Sequence, residues 1–128
     1  MITLDTCSLV WLSLSPDKLS KNANKAIKNN SLIMSDISLW EIAMLTKSGR
    51  LIIDTSYSEY IELLLSLFGI QVNPITPEIA KISVEFDDSV NDHDPADRII
   101  AATSLVEDAP LVTADKNLIK AKIINTIW

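Results

Sequence analysis

The sequence predicts an α/β fold in which a short-stranded, mainly parallel central sheet lies between two layers of helices. Short apolar runs, such as 2–4 and 32–34, alternate along the chain with longer segments of helical periodicity. The runs lack the apolar–polar alternation of a strand with one wet face, so both faces of the sheet should be covered. The 128 residues, 48% of them hydrophobic, suffice for a single domain over 1–128 with its own core.

The first half of the chain is predicted to hold two strands, each followed by helical segments. After the strand 2–4, apolar residues predict a helical turn over 9–14, which Pro16 ends. Ser15 or Asp17 is expected to cap the next helix, which runs to about residue 29 and carries lysines at 18, 21, 25 and 28 on its outer face. The second strand, 32–34, precedes a helix over 36–48, which Ser35 and Asp36 cap and Gly49 ends.

The second half repeats this alternation. Thr55 and Ser56 cap a helix that runs to about residue 68, and Gly69 leads into a strand over 70–75. Pro77 and Pro95 open helices that run to about residues 86 and 107, separated by an acidic, turn-rich segment over 87–94. A strand over 111–113, a short helix after residue 115 and a possible last strand at 123–124 complete the prediction.

Composition limits the function classes. A single Cys excludes a disulfide framework and a Cys-rich zinc site. The net charge of −6 argues against a broad basic surface for nucleic acid. The most apolar run, 61–70, is interrupted and too short to span a bilayer, so we expect a cytoplasmic protein without a membrane partner.

Four acidic residues are candidates for a functional site, and three of them lie at the ends of predicted strands or helices, where α/β proteins bind their ligands. Asp5 directly follows the first strand, Asp115 follows the strand 111–113 by one residue, and Asp97 lies in the first turn of the helix that Pro95 opens. Glu41 shares a helix face with apolar residues one turn before and after it, where a carboxylate is costly unless paired or bound to a metal.

Each acid also has a purely structural interpretation. Asp5, Asp94 and Asp115 are plausible helix N-caps, and Glu41 could reach solvent or pair with Lys47. If the acids do meet, two carboxylates about 4 Å apart repel by about 4 kcal/mol at an effective dielectric near 20. Either a proton or a hard cation such as Mg²⁺ or Mn²⁺ must then compensate, and such a site suits phosphodiester hydrolysis.

The order of these motifs resembles that of PIN-domain ribonucleases, and among them the VapC-type toxins of bacterial type II toxin–antitoxin pairs. The resemblance covers nearly the whole chain through segments that keep the order and spacing of the family, namely 2–6, 35–43, 49–51, 93–102, 111–116 and Trp128. It implies a PIN-like three-layer α/β/α sandwich and a Mg²⁺- or Mn²⁺-dependent endoribonuclease. The implied partners are an RNA substrate and a cognate small antitoxin protein, and a homodimer is expected.

The resemblance also assigns roles to single residues. It implies that Asp5, Glu41, Asp97 and Asp115 form the acidic metal site and are the catalytic residues. Asp94 is expected to support the site or cap its helix, and Thr6 and Thr113 to orient carboxylates or water by hydrogen bonds. Members of the family often have His where this chain has Cys7, which we interpret as a local packing change with a small buried thiol.

Several other side chains have a functional and a structural interpretation. The single His, His93, is expected to be solvated or to brace a loop and not to act as a general base. Trp11 and Trp40 are expected in the core, and Arg98 could hold a carboxylate, hold an RNA phosphate or pack on the acidic loop. One helix has more apolar residues than a single buried face needs. We expect these residues to lie in the core, and the alternative is a dimer or antitoxin surface: Leu63, Leu64, Leu67 and Phe68.

Three other function classes remain open at this point. An aspartyl phosphatase would need a second acid two residues after Asp5, where Cys7 stands. A receiver-type domain with an acidic Mg²⁺ pocket would need an Asp after a middle strand, and 70–75 is followed by Thr76 and Pro77. A catalytically inactive PIN-like binding module would use the acids only as caps. Replacing the four acids by Asn separates capping from metal binding, because Asn caps as well as Asp.

Overall fold

Five parallel strands form the centre of the fold in a computed structural model that describes residues 1–90 and 94–128. The strands are β1 (Ile2–Leu4), β2 (Leu32–Ser35), β3 (Ile70–Asn73), β4 (Leu111–Val112) and β5 (Thr126–Ile127). Their order across the sheet is β3-β2-β1-β4-β5, and every neighbouring pair is parallel. Leu4 pairs with Val112, so the chain leaves β1 and β4 at the same place on the carboxyl edge of the sheet.

Helices connect the strands and begin at capping residues. They are α1 (Thr6–Leu14), α2 (Lys21–Asn29), α3 (Ile37–Lys47), α4 (Tyr57–Phe68), α5 (Pro77–Glu85), α6 (Pro95–Val106) and α7 (Lys116–Ala121), with one 3₁₀ turn at Pro16–Lys18. A side-chain oxygen accepts a backbone N–H at the start of six of them. Gly69 ends α4 in the left-handed conformation (φ 61°), which lets the chain turn directly into β3.

Two hydrophobic clusters cover the two faces of the sheet. Adjacent residues of β4 divide between them: Val112 packs with the side chains of α1 to α4, whereas Leu111 packs with α6 and α7. Because successive side chains of a strand point to opposite faces, helices cover the sheet on both sides. The three-layer α/β/α arrangement with a short-stranded parallel sheet is therefore confirmed.

Some predicted boundaries are wrong. The last strand is Thr126–Ile127 and not 123–124, because Lys122 ends α7 in a left-handed conformation and Ile124 packs into the core instead of joining the sheet. Residues 74 and 75 do not extend β3, which ends at Asn73. Neither Ser15 nor Asp17 caps α2: a 3₁₀ turn intervenes, and Ser20 accepts the Ala23 N–H.

Two further details differ at helices α3 and α4. The Asp36 side chain does not cap α3; its Oδ2 accepts the Ile75 N–H instead, and Ser35 Oγ accepts the Ile37 N–H. In α4 the prediction of core residues is confirmed for Leu64 and Phe68, which pack in and against the core, and is wrong for Leu63 and Leu67, which are 49% and 72% exposed. They lie one turn apart on the outer side of the helix, while Tyr60 and Leu64 face the sheet.

No helix in the described ranges has the length and the apolar character needed to cross a membrane. The predicted role of His93 lies outside the described residues.

Candidate functional site

Asp5 is both a helix cap and a buried carboxylate at the end of β1. Its Oδ1 accepts the Ser8 N–H at 2.8 Å, which begins α1. The residue is only 7% exposed, and burial raises the pKa of Asp5. Hydrogen bonds with Thr113 and Ser8 oppose this shift, and the nearby charge of Asp115 adds to it. The hydrogen bonds of the protein therefore do not fully offset the cost of keeping the buried Asp5 carboxylate ionised.

Asp115 enters the same region from the neighbouring strand. It caps α7, because its Oδ1 accepts the N–H groups of Asn117 and Leu118 at 2.8 and 3.1 Å. The fully buried Thr113 connects it to Asp5: Thr113 Oγ1 accepts the Asp115 N–H at 3.0 Å, and the same hydroxyl hydrogen-bonds with the Asp5 carboxylate. The pairing of β1 with β4 thus holds these two acids side by side.

Glu41 reaches the cleft from α3 and is held by a relay of hydroxyl groups. The Thr6 hydroxyl donates to Glu41 Oε1 at 2.5 Å and lies 2.9 Å from Ser38 Oγ. Thr6 has one hydroxyl proton, so Ser38 donates to Thr6 when Thr6 donates to Glu41. Burial raises the pKa of Glu41, and the charges of Asp94 and Asp5 raise it further. Glu41 forms no ion pair with Lys47 within the described part of the chain, so that alternative is not supported.

Asp94 and Asp97 come from the start of α6. Asp94 is the N-cap, with its Oδ1 accepting the Asp97 N–H at 3.1 Å, and Pro95 occupies the first helical position. This is the predicted N-terminal box. The cap fixes the first turn of α6 and thereby the direction in which Asp97 leaves the helix.

All five acids line one cleft of about 1090 Å³ at the carboxyl edge of the sheet. Those acids are Asp5, Glu41, Asp94, Asp97 and Asp115. The Cys7 thiol lies near four of these carboxylates. Burial raises the pKa of Cys7 to about 11, and the four negative charges add to this shift because they disfavour a thiolate. The structure therefore brings together the four acids that the sequence pointed to, and Asp94 with them.

The donor set of the cleft fits a hard divalent ion. Carboxylate and hydroxyl oxygens are the ligands that Mg²⁺ and Mn²⁺ prefer. Over residues 1–90 and 94–128, no three Asp, Glu, His or Cys side chains stand close enough together to enclose one ion. Such an open arrangement suits Mg²⁺, which keeps several waters and binds through one or two carboxylates, better than a closed all-protein cage.

The cleft also contains residues that sequence reasoning placed elsewhere. Cys7 is exposed and lines the cleft, so the prediction of a buried thiol is wrong; the first turn of α1 turns its side chain away from the core. Trp40 is 55% exposed and lines the cleft with Met44, one turn further along α3, so its prediction as a core residue is also wrong. Trp40 and Met44 share one face of α3, because residues four positions apart on a helix lie one above the other.

Trp11 and Arg98 have structural roles. Trp11 is partly buried, packs against the core and contacts the ring of Trp128 at 5.7 Å between centroids, while one side lines the cleft. Arg98 does not line the cleft. Its guanidinium donates to the carbonyls of Ser83 (2.9 Å), Val90 (3.0 Å), Asp87 (3.2 Å) and Phe86, which fixes the end of α5 and the turn that follows it.

Comparison with known proteins places these features in a family context. A family profile for the PIN domain matches residues 2–124. Over 118 residues the chain is 31% identical to Ribonuclease VapC22 of Mycobacterium tuberculosis (strain ATCC 25618 / H37Rv), a match that covers 91% of this chain and 88% of that protein.

Solved structures with a similar fold belong to protein complexes. VapBC2 from Rickettsia felis, bound to a DNA fragment from its promoter, matches with a TM-score of 0.71 and 20% identity over 98% of this chain and 97% of that one. A toxin–antitoxin complex from Klebsiella pneumoniae matches with a TM-score of 0.63 and 20% identity over 90% of this chain and 87% of that one. At this identity the likeness concerns the fold.

Proposed function

The chain belongs to the PIN-domain family and, within it, to the VapC-type ribonucleases, and from this premise we propose that it is a metal-dependent endoribonuclease acting as the toxin of a type II toxin–antitoxin pair. Its substrate is RNA, its compartment the cytoplasm, and its inhibitor a cognate small antitoxin. The observation that carries the proposal is the convergence of acidic side chains from β1, α3, α6 and the end of β4 on one cleft.

The proposed catalytic residues are Asp5, Glu41, Asp97 and Asp115, which would hold one or two Mg²⁺ or Mn²⁺ ions. When bound, such an ion lowers the pKa of a water molecule and stabilises the charge that develops on the phosphoryl group during in-line attack. The raised pKa values of Asp5 and Glu41 support this assignment, because carboxylates that repel one another in a partly dry cleft gain most from a cation.

The neighbouring groups set the positions of these carboxylates. Thr6 holds one oxygen of Glu41, and Thr113 links Asp5 to the backbone of Asp115. The Asp94 cap fixes the start of α6, from which Asp97 extends. The carboxylates of Asp5, Glu41 and Asp115 are thus oriented before any ion or substrate arrives, which lowers the cost of assembling the reactive geometry.

The function is tested by cleavage of structured RNA with antitoxin-free protein in Mg²⁺ or Mn²⁺. We expect cleavage to stop in excess chelator and in Asp5→Ala and Asp97→Ala. The matched control is Asp54→Ala, an exposed acid outside the cleft, which should cleave like the wild type. Cleavage that persists in chelator, or in the two cleft variants, would show that the site assignment is wrong.

A second candidate, an inactive PIN-like binding module, has one observation in its favour. Asp5, Asp94 and Asp115 all cap helices, as a purely structural role requires. Capping does not account for Glu41, which lies in the middle of α3 and faces the same cleft. The two functions differ in whether the protein binds a divalent ion and cleaves RNA.

The proposed homodimer has a candidate surface on α4. Leu63 and Leu67 are exposed one turn apart, and they form the start of the apolar patch that an interface on this helix would need. Sedimentation equilibrium of the antitoxin-free wild type and of Leu63→Ser/Leu67→Ser measures this directly: the dimer should be lost in the variant, and a monomeric wild type would refute the proposal.

A further inference from the structure

One segment of this acidic protein is strongly basic. Residues 18–35 contain Lys18, Lys21, Lys25 and Lys28 and no Asp or Glu, so the segment carries +4. The whole chain carries −6, and the other 110 residues therefore carry −10. Four of the eleven basic residues are thus concentrated in one short stretch, which begins at the last residue of the 3₁₀ turn and includes α2 and β2.

All four lysines are exposed. Lys21, Lys25 and Lys28 share one face of α2, here called the lysine surface, and Lys18 precedes the helix in the 3₁₀ turn. The three lysines of α2 follow the helical repeat, while Ala23 and Ile27 on the opposite side are buried. Lys21, Lys25 and Lys28 line a shallow surface groove of about 520 Å³ together with Pro16, Asn24 and Asn29, and within 1–90 and 94–128 no acidic side chain lines it.

The charges on this surface are not neutralised by the described part of the protein. Within the described residues the structure records one ion pair, Lys81–Glu85, and it lies on α5 and not on the lysine surface. Asp17, the acid nearest in sequence, is exposed and forms no ion pair with Lys18 or Lys21. Like charges one turn apart on a helix destabilise it. The three lysines of α2 therefore lower the stability of this helix, and an anionic partner bound to them would remove that repulsion.

The lysine surface is connected to the acidic cleft by direct contacts. The Asn22 amide donates to the Trp128 carbonyl at 3.2 Å, beside Lys21 at the start of α2. The Trp128 ring packs against Trp11, and Trp11 lines the cleft. Two contacts therefore separate the start of α2 from the cleft wall, and we expect an extended strand of several nucleotides to span this interval.

We propose that the lysine surface binds backbone phosphates of the RNA substrate, several nucleotides away from the phosphodiester that is cleaved. The proposal rests on the ribonuclease function proposed above. Lysine ammonium groups bind phosphate as point charges and give no base recognition, so this surface supplies affinity and orientation without sequence selectivity. It compensates for the acidic cleft, which by itself repels RNA in the absence of metal.

The test compares two double variants that change the net charge equally: Lys21→Gln/Lys25→Gln on the lysine surface, and Lys81→Gln/Lys120→Gln elsewhere. Gln and Lys have similar helix propensities, so both variants should fold. Steady-state cleavage is measured at fixed Mg²⁺ with a structured RNA and with a trinucleotide too short to span from the cleft to α2. Sodium chloride is varied between about 50 and 200 mM.

The expected result is specific to one variant and one substrate. Loss of two phosphate contacts should raise KM for the structured RNA about 25-fold at 0.1 M salt and lower the slope of log KM against log salt by about 1.4, with kcat unchanged. KM for the trinucleotide, and both parameters of Lys81→Gln/Lys120→Gln, should stay at the wild-type values.

Other outcomes overturn the proposal in distinguishable ways. Equal KM increases in both variants would mean that only net charge matters. Unchanged KM and salt dependence in Lys21→Gln/Lys25→Gln would exclude RNA at this surface, and if that variant also lost affinity for an acidic antitoxin, the surface would be a protein site. A wild type that cleaves neither RNA would refute the ribonuclease function itself.

Discussion

Asp5 combines two roles whose energetic signatures can be separated with two substitutions. Asp5→Asn and Asp5→Ala both remove the charge, but only Asn keeps a side-chain oxygen that can accept the Ser8 N–H. Loss of a helix cap costs about 1 kcal/mol, so Asp5→Ala should be less stable than Asp5→Asn by that amount. In a chain of 128 residues, this corresponds to a difference in Tm of about 4 °C.

The difference in stability between Asp5→Asn and the wild type measures the cost of the buried Asp5 charge. Burial raises the pKa of Asp5 above its usual 3.8, so as pH rises the unfolded chain loses this proton before the folded protein does. In chelator, the free energy of unfolding of the wild type relative to Asp5→Asn should therefore fall as pH rises from about 3.8 through the raised pKa, by about 1.4 kcal/mol per unit of elevation. Asp5→Asn lacks this contribution and should be more stable than the wild type at pH 7.

Thermal unfolding with and without Mg²⁺ completes the experiment. At a concentration a hundredfold above its Kd, an ion that binds only the folded state stabilises it by about 2.7 kcal/mol. The wild type should gain this stability, and neither variant should. The reasoning would be refuted if Asp5→Asn were less stable than the wild type in chelator, or if Mg²⁺ stabilised the variant as much as the wild type.

Three further predictions follow from contacts in and around the cleft. Thr6→Val removes the hydroxyl that lowers the pKa of Glu41, so the acidic limb of the kcat/KM–pH profile should shift to higher pH; Thr6→Ser should restore it, and an unchanged profile in Thr6→Val would contradict the role of this bond. Because the pKa of Cys7 is about 11 instead of 9.0, iodoacetamide should alkylate it at pH 8 in chelator about 100-fold more slowly than a free thiol of pKa 9.0; a rate equal to that of the free thiol would contradict the acidic surroundings. Arg98→Ala removes the donor to four carbonyls and should lower the free energy of unfolding by at least about 2 kcal/mol in urea denaturation, and Arg98→Lys should recover only part of this; a loss below 0.5 kcal/mol would contradict the structural role.

The sequence predicted the layers and the acidic positions because both depend on local signals. Buried apolar runs locate β1, β2 and β4, and Asp or Ser before a helical segment locates its start. Asp5 and Asp115 follow strands that turned out to be neighbours, which is why two residues 110 positions apart meet in the cleft. The sequence allows Asp5, Asp94 and Asp115 to be either helix caps or cleft residues, and the structure shows that each of them is both.

The features that the sequence did not predict depend on contacts between distant elements. The orientation of Trp40 and Cys7 toward the cleft depends on how α1 and α3 pack, and helical periodicity alone assigned Trp40 to the core. The link from Asn22 through Trp128 to Trp11 requires β5 at the sheet edge, whereas the predicted last strand lay three residues earlier. The resemblance predicts that Thr6 orients a carboxylate, but the part that Ser38 takes in the relay to Glu41, which joins α1 to α3, has no local signal.

The central claim is that Asp5, Glu41, Asp97 and Asp115 form one metal-dependent catalytic site and are not merely helix caps. The most direct measurement is made on the variant Asp5→Asn/Glu41→Gln/Asp97→Asn/Asp115→Asn, in which Asn can still accept the capping N–H groups. Mn²⁺ binding by calorimetry and RNA cleavage are measured on the same preparation, after circular dichroism has shown wild-type helix content. We predict a folded protein with neither Mn²⁺ binding nor cleavage. A folded variant that binds Mn²⁺ and cleaves RNA like the wild type would contradict the claim.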